Sequence, residues 1–344
     1  RQSFREGPVP EQVTLEDVAR LSGVSMATAS RALNGRPGVR DDVRRRVTEA
    51  SGRLGFRPNR AAQNLASGRS QVIGLVIPSA ELRVDPYGAS MTHAVGRAAT
   101  SLDHGLMLHL AAEEPGDTVH HILRDGLIDG LLISTVAIGH SWVEDLLDAT
   151  LPTVLIGTHP TRPDVGGVDV ENVESAAAAV AHLFEQGCRR VATITGPLQR
   201  ADARLRVEGY RLAHRRSGRQ IDESLVLAGD FNRKSGSIAA QQVMALGADG
   251  LFAANDEMAQ GAMWTFSRAG VSVPDDIAVI GFDGTASEEF VNPTLSTMCQ
   301  PFDEIAGAAV DQLLARIAGH RGPSTTTLLP PALLIGESSR RVAR

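Results

Sequence analysis

Hydrophobic and polar positions follow two different periods along this chain, and the change falls near residue 70. In the first stretch, Leu15, Val18, Ala19 and Leu21 share one helical face, and Thr14 with Asp17 resembles a capping box with Asp in place of Glu. Ser22-Gly23-Val24 interrupts this helix after about two turns, glycine supplying the turn conformation. Ser25 is placed to cap a second helix, Met26 to Leu33, which ends at Asn34-Gly35. A third helix is predicted from Val39 to Leu54, with Val43, Val47, Ala50 and Leu54 on one side and a stop at Gly55. Two short helices joined by a tight glycine-containing turn form a helix-turn-helix, and the third closes a small core.

From Val72 onward, short apolar runs alternate with amphipathic helices. The runs Val72–Ile77, Leu106–Leu110, Gly130–Ser134, Thr153–Ile156, Val191–Thr195, Gly250–Ala254 and Ile277–Gly281 read as strands. Ser175–Gln186, Glu208–Ser217, Ser235–Ala245 and Asp256–Ala269 read as helices between them. Near-continuous apolar strands separated by helices predict parallel sheets covered on both faces. The rhythm restarts near residue 172, so the α/β body is expected to have two Rossmann-like lobes behind a small all-α helix-turn-helix head. Ligands of such sheets bind outside the carboxyl ends of the strands.

Charge sharpens this division. The 344 residues carry a formal net charge of −6, which taken alone argues against a nucleic-acid partner. Residues 13–70, however, hold eleven arginines against five acids, a net of +6, so the remainder sums to −12. A basic head on an acidic body suggests a nucleic-acid-binding module. The second helix fits that role, because apart from Met26 its residues Ser25, Ala27, Thr28, Ser30 and Arg31 are short or polar. Such a helix enters a major groove, where Arg31 suits a guanine edge and Met26 and Ala27 suit thymine methyls. Thr28, Ser30, Asn34 and Arg40 suit phosphate contacts. A helical-hairpin interaction domain with a solvated basic face fits the same pattern.

The segments Val13-Thr14-Leu15-Glu16-Asp17-Val18-Ala19 and Gly23 through Gly35, together with Leu54-Gly55-Phe56-Arg57-Pro58-Asn59-Arg60-Ala61-Ala62, resemble the head of the lac repressor family of bacterial transcriptional regulators. The resemblance implies DNA contacts from Thr14, Ser25, Met26, Ala27, Thr28, Ser30, Arg31, Asn34, Arg40, Phe56 and Asn59. One departure is Ala29, where the family more often has Val. Residues 58–70 correspond to the family's hinge helix, which orders on DNA, and Leu65 takes the place of the leucine wedged into the minor groove, with Ala62 and Gln63 beside it. Read without the resemblance, this segment is a flexible linker. Residues 1–12 read as a disordered tail and 13–57 as the DNA-binding domain.

Asp85-Pro86-Tyr87, Arg206-Val207-Glu208-Gly209-Tyr210, Gly229-Asp230-Phe231, Ala253-Ala254-Asn255-Asp256, Ile280-Gly281-Phe282-Asp283, Gln300-Pro301-Phe302 and Leu334-Ile335-Gly336-Glu337-Ser338 extend the resemblance through the body, which is similar to periplasmic sugar-binding proteins. It implies three crossings between lobes. The N-lobe would be 71–170 with 300–327, and the C-lobe 171–299 with 328–344. Asn255 and Asp283 follow strands and suit vicinal hydroxyls, Arg206 adds fixed donors, and Phe231 and Tyr87 offer aromatic faces, with Asp85 nearby. The alternative is that Asn255 and Asp283 merely cap helices, although Asp256 reads as the better cap. The segment Pro78 to Asp85 is about three residues longer than the family spacing, and Gly284 stands where the family often has Asp or Asn.

No phosphate-cradling Gly-x-x-x-x-Gly-Lys-Ser/Thr, dinucleotide fingerprint, nucleophile elbow or His-x-x-x-His occurs in the chain, so no enzyme chemistry, cofactor or metal is expected. No run approaches a transmembrane length. Two distant cysteines and a polar start without a signal-like apolar stretch favour a reduced cytoplasm. Seven residues follow Glu337, too few for a coiled-coil tail, so a homodimer on double-stranded palindromic operator DNA is expected. Its small effector would be a carbohydrate, or alternatively a nucleoside or purine. A sugar-binding protein without DNA function is the remaining rival.

Overall fold

The computed structural model describes residues 13–56, 69–78, 86–111, 122, 126–134, 141–159, 161–162, 165–285, 292–320 and 325–341. The chain divides into two compact units, Arg1–Ser70 and Gln71–Arg344.

The head comprises α1 (Leu15–Ser22), α2 (Met26–Leu33) and α3 (Asp41–Leu54). Thr14 Oγ1 accepts the Asp17 amide, and the Asp17 carboxylate accepts the Thr14 amide at 3.0 Å, closing the capping box. Gly23, at φ 66°, ends α1 in the left-handed conformation that glycine adopts without steric cost. Ser25 Oγ then accepts the Thr28 amide and starts α2. The third helix begins two residues later than expected. Val39 instead packs against the core, while Asp41 and Asp42 place negative charge at the helix's positive end. Val18, Ala29, Ala32, Val43, Val47 and Ala50 form the small core, and Ala29 is fully buried.

Among the described residues the body contains two six-stranded sheets. The first contains β1 (Val72–Pro78), β2 (Gly105–Ala111), β3 (Gly130–Ser134), β4 (Thr153–Ile156), β5 (Gly167–Val170) and β11 (Thr327–Leu329), in the order β11-β5-β4-β3-β1-β2. The second contains β6 (Val191–Ile194), β7 (Val226–Leu227), β8 (Gly250–Ala253), β9 (Ala278–Asp283), β10 (Ser296–Cys299) and β12 (Ala332–Leu334), in the order β12-β10-β9-β8-β6-β7. Among the described residues every pairing is parallel except β10 with β12.

The helices are α4 (Pro86–Ser101), α5 (Ser141–Leu147), α6 (Asn172–Glu185), α7 (Ala201–Arg216), α8 (Arg233–Ala245), α9 (Asp256–Arg268) and α10 (Phe302–Ile317). The chain leaves the first sheet after β5, returns through α10, and crosses finally at Pro330-Pro331. Leu328 and Leu329 therefore pair with β5 in the first sheet, although the expected boundary assigned them to the C-lobe.

The strands β5, β7, β10, β11 and β12 were not visible as apolar runs. Asp169 interrupts β5, Ser296 and Thr297 make β10 polar although it is buried, and β7, β11 and β12 have only two or three residues each. The N-lobe helices escaped for a related reason: α4 is rich in Gly, Ala, Ser and Thr, which dilutes its apolar stripe.

Helices α6 and α7 pack closely because Gly209 faces α6. A Cβ there would lie 2.3 Å from the Val173 carbonyl oxygen and 2.6 Å from Ala176 Cβ. Backbone cannot yield as a flexible side chain does, so Gly209→Ala is expected to cost about 1–3 kcal/mol. Urea unfolding of the variant checks this, and an unchanged midpoint would show that α7 shifts freely.

Candidate functional site

On the head, α2 presents its outward face around Met26, Ala27, Arg31 and Asn34, all exposed, with Thr28 and Ser30 partly so. Met26 is 53% exposed. The opposite face, Ala29 and Ala32, is buried. Several expected DNA residues are also structural. Thr14 and Ser25 are caps, Asn34 Nδ2 donates to Ser30 Oγ at 3.3 Å, and Arg40 pairs with Asp42 at 3.4 Å.

Phe56 is likewise structural, packing half-buried against the head core. Asn59, Ala62, Gln63 and Leu65 lie outside the described residues, as does Asp85. Sequence reasoning missed Arg44. It donates from α3 to the carbonyls of Ala32 and Arg36, each at 2.9 Å, and so closes the carboxyl end of α2.

In the body, the carboxyl ends of strands from both sheets line one cleft. Gly157 and Thr158 follow β4, Asp169 sits in β5, Asp283 ends β9, and Gln300 follows β10. Tyr87 enters from the start of α4, its ring tilted on Phe302 at 5.5 Å. Phe231 and Asp283 both adopt positive φ, 67° and 112°, costly values for residues with a side chain and a mark of functional sites. Phe231 lies directly on Gly196, where a Cβ would come 2.0 Å from its ring.

Arg206 organises the cleft floor. Its Nε donates to Asn172 Oδ1 at 3.0 Å, and Nη1 donates to the Ala254 carbonyl and to Asp283 Oδ1. Its guanidinium stacks 3.7 Å from the Phe282 ring centre. Gln300 Nε2 donates to the same Asp283 oxygen at 2.7 Å.

Asp169 accepts from Thr158 Oγ1, the Val170 amide and Asn172 Nδ2. Burial nonetheless holds its carboxyl above the usual carboxylate range. Arg200 grips Asp202 through Nε and Nη2 and lies 4.6 Å from the centre of the Phe231 ring. Burial works against the charge of Asp202, but Arg200 together with Arg206 and the Ala203 amide outweighs it and the carboxyl sits below its ordinary value. The Tyr87 hydroxyl is pushed up, by burial first and then by Asp283, Asp169 and Asp202.

Asn255 is not in this wall. Its Oδ1 accepts the Met258 amide at 3.0 Å and caps α9, while Nδ2 donates to the Phe231 carbonyl at 2.8 Å. The helix cap expected at Asp256 is therefore Asn255. Asp256 instead accepts from Thr297 Oγ1 and the Thr285 amide, joining α9 to the neighbouring strand ends. Asn255 is thus a support for Phe231. Asp169, Arg200, Asp202, Thr158 and Gly196 were missed. Their available signal was position, just past or within strands whose carboxyl ends meet at the cleft.

Residues 14–59 match the family model of bacterial regulatory proteins of the lacI family, and residues 180–339 match a periplasmic binding protein-like domain. The chain is 32% identical to the ribose operon repressor of Escherichia coli strain K12, over 93% of this chain and 98% of that one. It belongs to the lacI family of bacterial regulatory proteins. Among solved lacI-family relatives, the complex of the transcriptional regulator CelR with cellobiose shares 30% identity at a TM-score of 0.73, covering 95% of this chain and 100% of that one. The lac repressor dimer bound to operator and the anti-inducer ONPF shares 28% identity at a TM-score of 0.80, covering 96% and 99%. The fold is thus the lacI-family arrangement of a helix-turn-helix head and a two-lobed periplasmic-binding-protein-like body. Among the described residues no helix is long and apolar enough to cross a membrane.

Arg206 and Asp283 are both at most 5% exposed as side chains. Removing one partner leaves the other's charge buried, so Arg206→Ala is expected to cost about 3–5 kcal/mol. Arg206→Lys keeps the charge but loses the fork and should fall between. Equal urea midpoints for Arg206→Ala and the native chain would contradict this account.

Proposed function

We propose that this chain is a sequence-specific transcriptional repressor which binds a palindromic operator as a dimer and responds to a small carbohydrate in the cleft. The observation that carries the DNA reading is the outward face of α2. Short side chains and Arg31 stand exposed there, Ala29 and Ala32 anchor the helix behind, and Arg44 fixes its end. Two such helices on a symmetric dimer read successive major grooves, with Leu65 as the minor-groove wedge that the family resemblance implies.

Dimerisation through the body is supported by Ile238 on α8 and Trp264 on α9, 55% and 59% exposed on two helices packed together. Apolar side chains that form a contiguous exposed patch mark association surfaces. The carbohydrate reading is supported by carboxylates and the Gln300 amide beside Phe231 and Tyr87, a combination that binds hydroxyls and covers the apolar side of a sugar ring. A ligand that fits one relative setting of the two lobes better than another shifts the population of DNA-competent dimers.

Selection of binding sites from a random DNA pool tests the central claim. The recovered sites are expected to be two-fold symmetric, and Arg31→Ala is expected to weaken binding to them by at least about 1–3 kcal/mol in fluorescence anisotropy. Asymmetric sites, or full affinity in the variant, would count against α2 as the reading helix. Asp283→Asn, which keeps an acceptor oxygen for Arg206 and Gln300 in place, is expected to abolish the ligand's effect on DNA binding, with folding checked by urea midpoint in the same samples. A normal ligand response would remove Asp283 from the site.

A further inference from the structure

The carbohydrate reading leaves open whether the ligand bears a charge, and the cleft's own electrostatics bear on that. The described wall carries three carboxylates, Asp169, Asp202 and Asp283, and two guanidiniums, Arg200 and Arg206. Both guanidiniums are turned onto protein acceptors. Arg206 holds Asp283, Asn172 and the Ala254 carbonyl, while Arg200 grips both oxygens of Asp202.

The position of the second pair is informative. Arg200 stands at the cap of α7 and Asp202 lies in its first turn, where Oδ1 accepts the Ala203 amide at 2.8 Å. A helix amino terminus beside an arginine is where a phosphate group would bind, since free amides, the helix dipole and the guanidinium all favour an anion. Here the chain supplies that anion itself. The remaining polar groups are rich in acceptors, and the Thr158 hydroxyl and one Gln300 amide hydrogen are already given to carboxylates.

A sugar hydroxyl donates into such a wall and accepts in return, whereas a phosphate brings only acceptors and negative charge.

Resting on the reading of this cleft as the ligand site, we propose that it takes an uncharged, polyhydroxylated ligand and rejects the phosphorylated form. In this arrangement the Arg200–Asp202 pair sets the selectivity by occupying the anion site at the head of α7. Arg200 is a specificity residue through this pairing. Its face lies on Phe231 and its edge on Asp202, so both of its binding modes are in use.

The test uses the full-length chain and compounds in pairs: ribose with ribose 5-phosphate, glucose with glucose 6-phosphate, cellobiose with cellobiose phosphate, and adenosine with its monophosphate. Thermal stabilisation and calorimetry are read on each. At least one uncharged sugar should stabilise the protein, and its phosphorylated partner should bind at least about tenfold more weakly. Asp202→Asn releases Arg200 and should narrow that ratio by about tenfold, whereas Asp202→Glu should preserve it.

Equal or tighter binding of a phosphorylated sugar overturns the selectivity while leaving the cleft as a carbohydrate site. An unchanged ratio in Asp202→Asn overturns the role of the pair. A response to adenosine alone overturns the carbohydrate reading, and silence across all pairs overturns the ligand reading of the cleft as well. The native ratio reads the selectivity on its own even if the asparagine variant folds poorly.

Discussion

The buried guanidinium of Arg206 is the interaction on which the body's ligand site depends. It reaches the start of α6, the end of β8 and the end of β9 from one side chain, and Phe282 lies flat beneath it. Lysine could satisfy the charge, but its donors sit on one nitrogen and cannot span partners reached from separate nitrogens of a planar fork. Because Asn172 also donates to Asp169, the same set links the end of β5 in the first sheet to strand ends of the second. A buried ion pair contributes little net stability compared with apolar packing. Its value here is geometric: it holds carboxylates and an aromatic wall at the junction of two sheets, where the chain crosses.

A second layer of support keeps Phe231 in a left-handed backbone conformation. Asn255 holds its carbonyl, Gly196 admits its ring, and Arg200 covers it. None of the three is needed to complete either sheet. They show how strain at one residue is sustained by contacts from several elements.

Much of the architecture was legible in the sequence because burial imposed a period on it. The helix-turn-helix was readable almost residue by residue, since caps and turns use chemically distinctive residues: Thr14, Gly23, Ser25 and Gly55. Strands buried on both faces were readable as apolar runs. What escaped was polar yet buried, as in β5 and β10, where Asp169 is satisfied by Thr158, Val170 and Asn172, and Ser296 and Thr297 by neighbours about forty residues away in sequence. The cleft shows the same limit. Arg206, Phe231, Tyr87 and Asp283 were named beforehand and line it, but Asn255 turned out to cap a helix. Asp169, Arg200 and Asp202 carry no local pattern, because their significance arises only when separate strand ends meet.

Arg44 alters how the head's positive charge should be counted. Its guanidinium closes α2 by bonding to the Ala32 and Arg36 carbonyls, so two of its donors are directed onto the protein. The salt dependence of DNA binding scales with the phosphates a protein neutralises, through the release of condensed counterions. A count of basic residues in the head therefore overstates how many cations leave the duplex on binding. Some of the apparent electrostatic surplus of this small domain is the means by which its reading helix keeps its shape.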